Sequence, residues 1–571
     1  MVILAWMPLM ALLTLEAAVA GLLLHLGGHL ISGIWPAMPF LARLGALIAV
    51  AGGIVGFVLS IHFFRRLGMI LRPCRRSTFL AYGIAGSILC CYIGLDAFIW
   101  AQFEVLWVVL FAAGLAAIGI TVSRTLELNR RRGSFVVSER PQHQETGQKL
   151  LVIGIDSASW DVVSSLMARG LIPNIRGIAE RGVCGALNTI RPTWSPVVWT
   201  SIATGKLPVR HGIIDFVTRF LPGAGKDVQL VLPRGLGIRK GFHWLHKLGL
   251  VTAKPVGSAE RISPAFWEIA NSCGQSAVVV GWHATSPPDP INGFVVSDLT
   301  LSGQIPVPAN NVVLTHPVDF LDDVVRLRPS SSPDELTHGL FRKALQEGCD
   351  PRERKALETG IVEDYWALNI TMDVLRRSSC TVVSVLLYNL DKIQHLFWKY
   401  YRPRNADTVA HHGSIGLKHS VIENYYVFLD SLVGELMRAA GKEFNIMVVS
   451  DHGMRSASRW AEFRTGHSGT HEDSPPGVCI AAGPAVAEGL SLKGARVIDI
   501  APTMHAVLGW PLARDIDGAV LTEALRPGFL SRFPLRWVES NDDLRLKTQA
   551  GPIGEETAAL MKRLQALGYL D

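Results

Sequence analysis

KLLVIGIDSASWDVV (149–163) opens with a continuous apolar run from Leu150 to Ile155 and breaks sharply at Asp156. A run this short, with no polar alternation, reads as a strand buried on both faces, and the segment after it reads as a helix. The same grammar recurs in QSAVVVGW (275–282), TVVSVLLYNLD (381–391) and FNIMVVSDHG (444–453). Buried strands alternating with helical stretches predict an α/β body whose mostly parallel sheet is flanked by helices. Polar chain with Pro141 and several Gln precedes the first strand, so 126–149 reads as a linker and 150–571 as the body.

Asp156, Asp391 and Asp451 each fall at or just past the C-terminal tip of such a strand, where open α/β sheets bind their ligands. One would mean little, because Asp commonly caps the helix that follows a strand. These three arrive with histidines: His395 four residues after Asp391, His452 directly after Asp451, and His471 in TGHSGTHEDSPPG (465–477). Carboxylates and imidazoles without thiolates suit two divalent ions, zinc first and manganese as the alternative. Two ions roughly 4 Å apart stabilise both the entering and the departing oxygen of phosphoryl transfer. A bound cation also acidifies a hydroxyl, as it acidifies water. IRPTWSPVVWTSIATG (190–205) offers five hydroxyls, on Thr193, Ser195, Thr200, Ser201 and Thr204, and the local sequence leaves the choice among them open.

Six segments in order carry a resemblance: VIGIDSASWD, SPVVWTSIATGKLPVRHGIIDF, YNLDKIQHLFW, VVSDHGM, GTHEDSPPGVCIAAGP, and VIDIAPTMHAVLG with DIDG. Together they resemble the alkaline phosphatase superfamily, most closely its type I phosphodiesterase/nucleotide pyrophosphatase branch, over nearly all of the chain after residue 149. The resemblance implies an alkaline phosphatase-like fold and a metal-dependent phosphohydrolase acting on phosphate esters. The T-G-x-x-P-x-x-H-G segment, here Thr204, Gly205, Pro208, His211 and Gly212, sets the register, and the resemblance then puts the nucleophile on Ser195. It further implies one metal held by Asp156, Ser195, Asp451 and His452, and the other by Asp391, His395 and His471.

Helix physics agrees with Ser195. Pro196 follows it, and proline is favoured at the first helical position, so Ser195 is predicted to be the N-cap of a helix over 197–203. Its oxygen then sits at the positive end of the helix dipole. Thr193 is the fallback, and Thr200, Ser201 and Thr204 read as structural. His467 is the alternative to His471, His211 reads as a packing residue, and His283 as one that lines the cleft. In the expected reaction Ser195 attacks phosphorus, a phosphoseryl intermediate forms, and water releases it. The same ligands would serve a phosphotransferase passing the group to a lipid or glycan acceptor. An inactive scaffold of the same fold would show gaps in the ligand set, and none is found.

Two departures narrow the substrate. Nucleotide pyrophosphatases often carry H-G-x-x-x-N, whose amide contacts a phosphoryl oxygen; here that position is Phe216. Loss of such a donor costs ~3 kcal/mol, so nucleotide specificity is not assumed. The C/S-x-P-x-R element of arylsulfatases is missing from SPVVW (195–199), which disfavours sulfatase chemistry.

The N-terminal part is of another kind. Mean hydropathy is +0.28, and the apolar excess lies before residue 125. Runs over 2–24, 44–64, 79–100 and 105–122 each approach the ~20 residues of a transmembrane helix. An all-α bundle of about four transmembrane helices over 1–125 is therefore expected. Arg65, Arg66, Arg72, Arg75 and Arg76 follow the second run, and Arg124 and Arg130, Arg131 and Arg132 follow the fourth. With four spans both basic groups face one side, which predicts a cytoplasmic catalytic domain on the plasma (inner) membrane. The net charge of +7 owes much to these arginines, so anionic headgroups of the lipid bilayer are the expected partner, and no nucleic-acid module is visible. Five scattered cysteines in the body form no C-x-x-C pair and predict neither disulfides nor a thiolate site. The stretch 217–375 separates the early ligands from the later ones and is set apart as an insertion or cap. Its LPRGLGIRKGFHWLHKLGL (232–250) suits a membrane interface, a substrate cover or a surface excursion. EETAALMKRLQALGYL (555–570) reads as an amphipathic helix.

Overall fold

The computed structural model describes residues 143–220, 252–301, 313–401 and 413–546. The four apolar runs, most of the linker, the basic-aromatic stretch 232–250 and the helical stretch 555–570 lie outside the described residues. Among the described residues, no helix is long and apolar enough to cross a membrane. The last residues of the expected linker are tied to the body: Gln144 N donates to Gly509 O at 2.8 Å and Thr146 Oγ1 to Val507 O at 2.9 Å.

The main sheet has nine strands: β1 (Lys149–Ile155), β2 (Val183–Leu187), β3 (Ala277–Val280), β4 (Gly293–Val296), β5 (Thr315–His316), β6 (Val382–Leu387), β7 (Phe444–Val449), β8 (Gly477–Ala482) and β9 (Leu490–Ser491). Their order across the sheet is β9-β2-β8-β7-β1-β6-β3-β4-β5. The four segments read from the sequence as buried strands are strands here. β3, β6 and β7 are buried along their whole length, and β1 is buried from Leu150 onward. That burial is why they carry no polar alternation.

The sheet is mostly parallel, as expected, with two of its nine strands, β8 and β5, running against the rest. β7, β1, β6, β3 and β4 run parallel, whereas β8 is antiparallel to both β7 and β2, and β5 to β4. The reason is local. β7 ends at the edge where Asp451 and His452 stand, the chain stays there through His471, and β8 starts from that edge. The strand must then run back. A fully buried strand looks the same in sequence whichever way it points.

The stretch 217–375 is largely body over its described residues. It supplies β3, β4 and β5. Four helices build the site: α1 (Ser195–Thr204), α2 (Pro351–Arg377), α3 (Asn389–Phe397) and α4 (Gly413–Ala440). α2 packs on β6, α3 and α4.

Register brings the strand tips together. Ile155 lies opposite Leu387, and Gly154 opposite Val449. Asp156 N donates to Leu387 O at 3.0 Å, carrying the pairing one residue further. Asp156, the start of α3 and Asp451 therefore leave the sheet at one edge, although up to 295 positions separate them in the chain (451 less 156). Gly154 matters for a steric reason. A Cβ there would meet Trp199 Cη2 and Leu386 Cδ1, each at 2.8 Å. Glycine lets α1 approach β1 closely enough for Trp199 Nε1 to donate to Asp156 Oδ2 at 3.2 Å.

Candidate metal centre

α1 delivers the hydroxyl-rich stretch. Every residue of the helix is buried. Trp194 O accepts from both Val197 N (2.8 Å) and Val198 N (3.0 Å), so Trp194 is the N-cap and Ser195 the first helical residue. The sequence placed the cap one residue later, on Ser195, because proline was counted at the first helical position and here it stands at the second. Ser195 Oγ still lies in the first turn, 3.5 Å from Asp156 Oδ1. The helix ends at Gly205, whose φ of 66° is left-handed and suits glycine.

The other hydroxyls are occupied. Thr200, Ser201 and Thr204 donate to the carbonyls of Pro196, Val197 and Thr200 at 2.6, 3.0 and 2.8 Å, the local bond such side chains make inside helices. Thr193 Oγ1 donates to His471 O at 2.8 Å and so braces the loop that carries His471.

α3 carries Asp391 and His395 one turn apart on one face, with Oδ2 and Nε2 3.4 Å from each other. His395 Nδ1 faces Gly469 O at 2.8 Å. A carbonyl only accepts, so the proton sits on Nδ1 and Nε2 presents its lone pair. His452 Nε2 lies 3.1 Å from Asp451 Oδ2 and 3.8 Å from Asp156 Oδ1. The His471 ring stands between the other two imidazoles, its centroid 4.8 Å from that of His452 and 5.2 Å from that of His395.

Two groups of ligand atoms result, each within 4.8 Å: Asp391, His395 and His471, and Asp156, Asp391 and His452. All of these side chains are buried. Asp391 belongs to both groups, a sharing that the residue-by-residue resemblance does not contain. Asp451 adjoins the second group through His452. His467, the alternative to His471, joins neither group. Its Nε2 takes a hydrogen bond from Arg352 Nη2 at 2.9 Å, and burial first, then the nearby His395 and Arg352, pushes its pKa down to about 3. His211 is a packing residue: Ser201 Oγ lies 2.8 Å from its Nε2, and Ile213 N donates to its Nδ1. His283, just past β3, comes closer than the sequence implied, with Nε2 3.5 Å from Asp156 Oδ2.

The electrostatics fit cations. Among the described residues, the basic side chains within ion-pair distance of Asp156 and Asp451 are histidines, with no Lys or Arg. Burial first, and the Asp156 charge next, push the Asp451 carboxyl well above the usual carboxylate range. Burial would raise Asp391 too, but His395, His471 and His452 together with the Ser157 hydroxyl hold it below that range. Asp451 Oδ2 and His452 Nε2 are buried without a hydrogen bond, a costly arrangement unless a further group engages them. Buried oxygen and nitrogen donors with no sulfur match the preferences of zinc or manganese.

Sequence reasoning missed three residues that organise the cluster. Trp199 donates to Asp156, as described. Ser157 donates its backbone N–H to Asp451 Oδ1 at 3.1 Å and its hydroxyl to Asp391 Oδ1 at 2.6 Å. Gln394 Nε2 donates to Ser157 O at 2.8 Å. Ser157 and Gln394 signalled only by standing next to ligand residues, and Trp199 only by standing one turn after Ser195, positions that many bystanders share. Phe216, where the family's asparagine is expected, is buried in a small apolar cluster with Trp194, Val197, Ile213, Val217 and Val256.

A further buried acid braces α3. Asp364 on α2 accepts from Asn389 Nδ2 at 2.8 Å and from Tyr425 OH on α4 at 2.7 Å. Burial outweighs these donors and raises its pKa to about 7, against about 3.9 in an unfolded chain. Between those values the folded protein holds a proton that the unfolded chain has released. Stability therefore falls as pH rises from about 4 to about 7, by at most ~4 kcal/mol. Asp364→Asn abolishes that dependence, so the variant gains on wild type between pH 5 and pH 8 in denaturant midpoint. A constant difference across that range refutes the assignment.

The mixed sheet gathers buried acids and imidazoles at its strand tips, and the family that these segments match is one of phosphoric ester hydrolases. Residues 150–480 match the type I phosphodiesterase / nucleotide pyrophosphatase family, more than half of the 571 residues, and the chain belongs to that family. No curated protein matches the chain. Similar solved structures include an inactive form of murine ectonucleotide pyrophosphatase / phosphodiesterase 5 in complex with AMP, at 13% identity and TM-score 0.39, covering 66% of this chain and 100% of that one. The human ectonucleotide pyrophosphatase / phosphodiesterase 5 gives 13%, 0.38, 66% and 100%. A 2-O GAG sulfatase gives 12% and 0.40, covering 66% of this chain and 73% of its own.

Proposed function

We propose that the protein is a membrane-anchored, metal-dependent phosphodiesterase or phosphatase with a serine nucleophile and a two-metal centre. The observation that carries this reading is the convergence of Asp156, Asp391, His395, Asp451, His452 and His471 beside the hydroxyl of Ser195. Asp391, His395 and His471 would hold one ion; Asp156, Asp451, His452 and Ser195 would hold the other, with Asp391 within reach of both. The ions, zinc first and manganese as the alternative, would supply Lewis acidity that lowers the hydroxyl pKa and offsets charge on the phosphoryl oxygens.

The chain's own groups do the rest. The first turn of α1 stabilises negative charge on Ser195 Oγ. That oxygen attacks phosphorus, the bond to the leaving alcohol breaks, and the group rests on the serine. Water then attacks phosphorus, the serine oxygen departs and recovers a proton, and phosphate or a phosphomonoester leaves. His283, whose Nε2 is 3.5 Å from Asp156 Oδ2, would be the candidate donor to a phosphoryl oxygen in place of the asparagine that Phe216 replaces. Nucleotides are therefore one candidate substrate among phosphate esters. The four apolar runs before residue 125 would anchor the enzyme, with the catalytic domain on the cytoplasmic side.

Metal analysis of the purified full chain, joined to assays with chromogenic phosphate mono- and diesters, tests this reading. The expected result is about two zinc or manganese ions per chain and hydrolysis abolished by a chelator. A protein that carries no metal yet hydrolyses either ester refutes it.

A further inference from the structure

We infer that Ser157 is a positioning residue that couples the two ligand groups, an inference that rests on the two-metal reading above. Two unusual features meet at this residue. Its φ is 64°, in the left-handed region that residues with a Cβ rarely adopt. Its side chain is fully buried and lies between a ligand common to both groups and a ligand of one: Oγ is 2.6 Å from Asp391 Oδ1 and 3.1 Å from His452 Nδ1.

Proton counting fixes the direction of these bonds. A serine hydroxyl has one hydrogen to give, and an ionised carboxylate only accepts. The 2.6 Å bond runs from the hydroxyl to Asp391 Oδ1, since a carboxylate that ligates a cation has no hydrogen of its own to give. The oxygen must then accept from His452, which puts the His452 proton on Nδ1. Gly453 O, 3.1 Å from the same nitrogen, requires the same tautomer. His452 Nε2 is left with its lone pair, facing Asp451 and Asp156. One hydroxyl thus sets the tautomer of a ligand in one group and the orientation of the carboxylate that both groups share. Outer hydrogen bonds of this kind tune metal affinity.

The backbone of Ser157 is fastened independently. Its N–H donates to Asp451 Oδ1, and its carbonyl accepts from Gln394. A glycine would adopt the same φ without strain and keep both bonds. It would lose the hydroxyl alone. The hydroxyl, with its bonds to Asp391 and His452, is what a glycine could not supply.

The test compares two variants of the full chain. Ser157→Gly and Ser157→Ala both lack the hydroxyl, but only the alanine keeps the strained Cβ. Metal-stripped proteins are titrated with zinc against a chromophoric chelator, and thermal midpoints are recorded for the metal-free forms. The expected result is a similar loss of zinc affinity in both variants, about 10- to 100-fold, with Ser157→Gly melting above Ser157→Ala. Affinity that tracks the melting temperature, or wild-type affinity in Ser157→Gly, overturns the inference while leaving the two-metal reading in place. Failure of the wild type itself to take up zinc or manganese overturns both.

Discussion

Ser195→Ala protein will cleave a chromogenic phosphate ester about 10³-fold more slowly than wild type, or slower still, while keeping its metal. The loss is large because the hydroxyl is the proposed bond-forming group, and catalysis through a covalent intermediate does not survive removal of its nucleophile. Metal is retained because Asp156, Asp451 and His452 remain. Alanine also suits the first turn of a helix, so α1 is not disturbed. Thr193 is the only local competitor, and its hydroxyl is engaged with His471 O. Thr193→Val should therefore perturb the His471 loop and lower activity without removing the covalent intermediate. Rapid quenching at acid pH should trap phosphate on wild-type protein and on Thr193→Val, and none on Ser195→Ala. Wild-type turnover by Ser195→Ala would refute the assignment.

Asp391→Asn should weaken the binding of both ions, by more than about 100-fold, because its carboxylate belongs to both ligand groups. His395→Ala or His471→Ala should weaken one. The shape of Asn is nearly that of Asp, so a change in metal content reports the lost charge and oxygen rather than a misshapen site. A metal that binds only the folded state adds stability as RT ln(1 + [L]/Kd), so the zinc-induced rise in melting temperature should shrink most for Asp391→Asn. The measurement is a thermal scan with and without zinc, paired with metal content by mass spectrometry. An Asp391→Asn protein that holds both ions as tightly as wild type contradicts the shared position of this residue. Equal losses in Asp391→Asn and His395→Ala would mean that it serves one ion only.

The strand centres and the acids at their tips were legible in the chain because burial on both faces forces an uninterrupted apolar run, and a ligand edge forces the run to stop at a polar residue. The segment from Thr204 to Gly212 set the register from which the family resemblance puts the nucleophile on Ser195, and its left-handed Gly205 is the end of α1. Local patterning carries no more than this. It does not encode which neighbour a strand takes or in which direction, so the antiparallel β8 was invisible. Nor does it encode that Asp391 falls between two clusters of ligands, which depends on the register of β1 against β6 and β7. Ser157 and Asp364 lie further still from sequence reading. The first is defined by bonds to residues more than 200 positions away, and the second owes its raised pKa to burial between α2, α3 and α4. Electrostatic and hydrogen-bond roles are set by distances of a few ångströms, and only the folded arrangement of side chains fixes those distances.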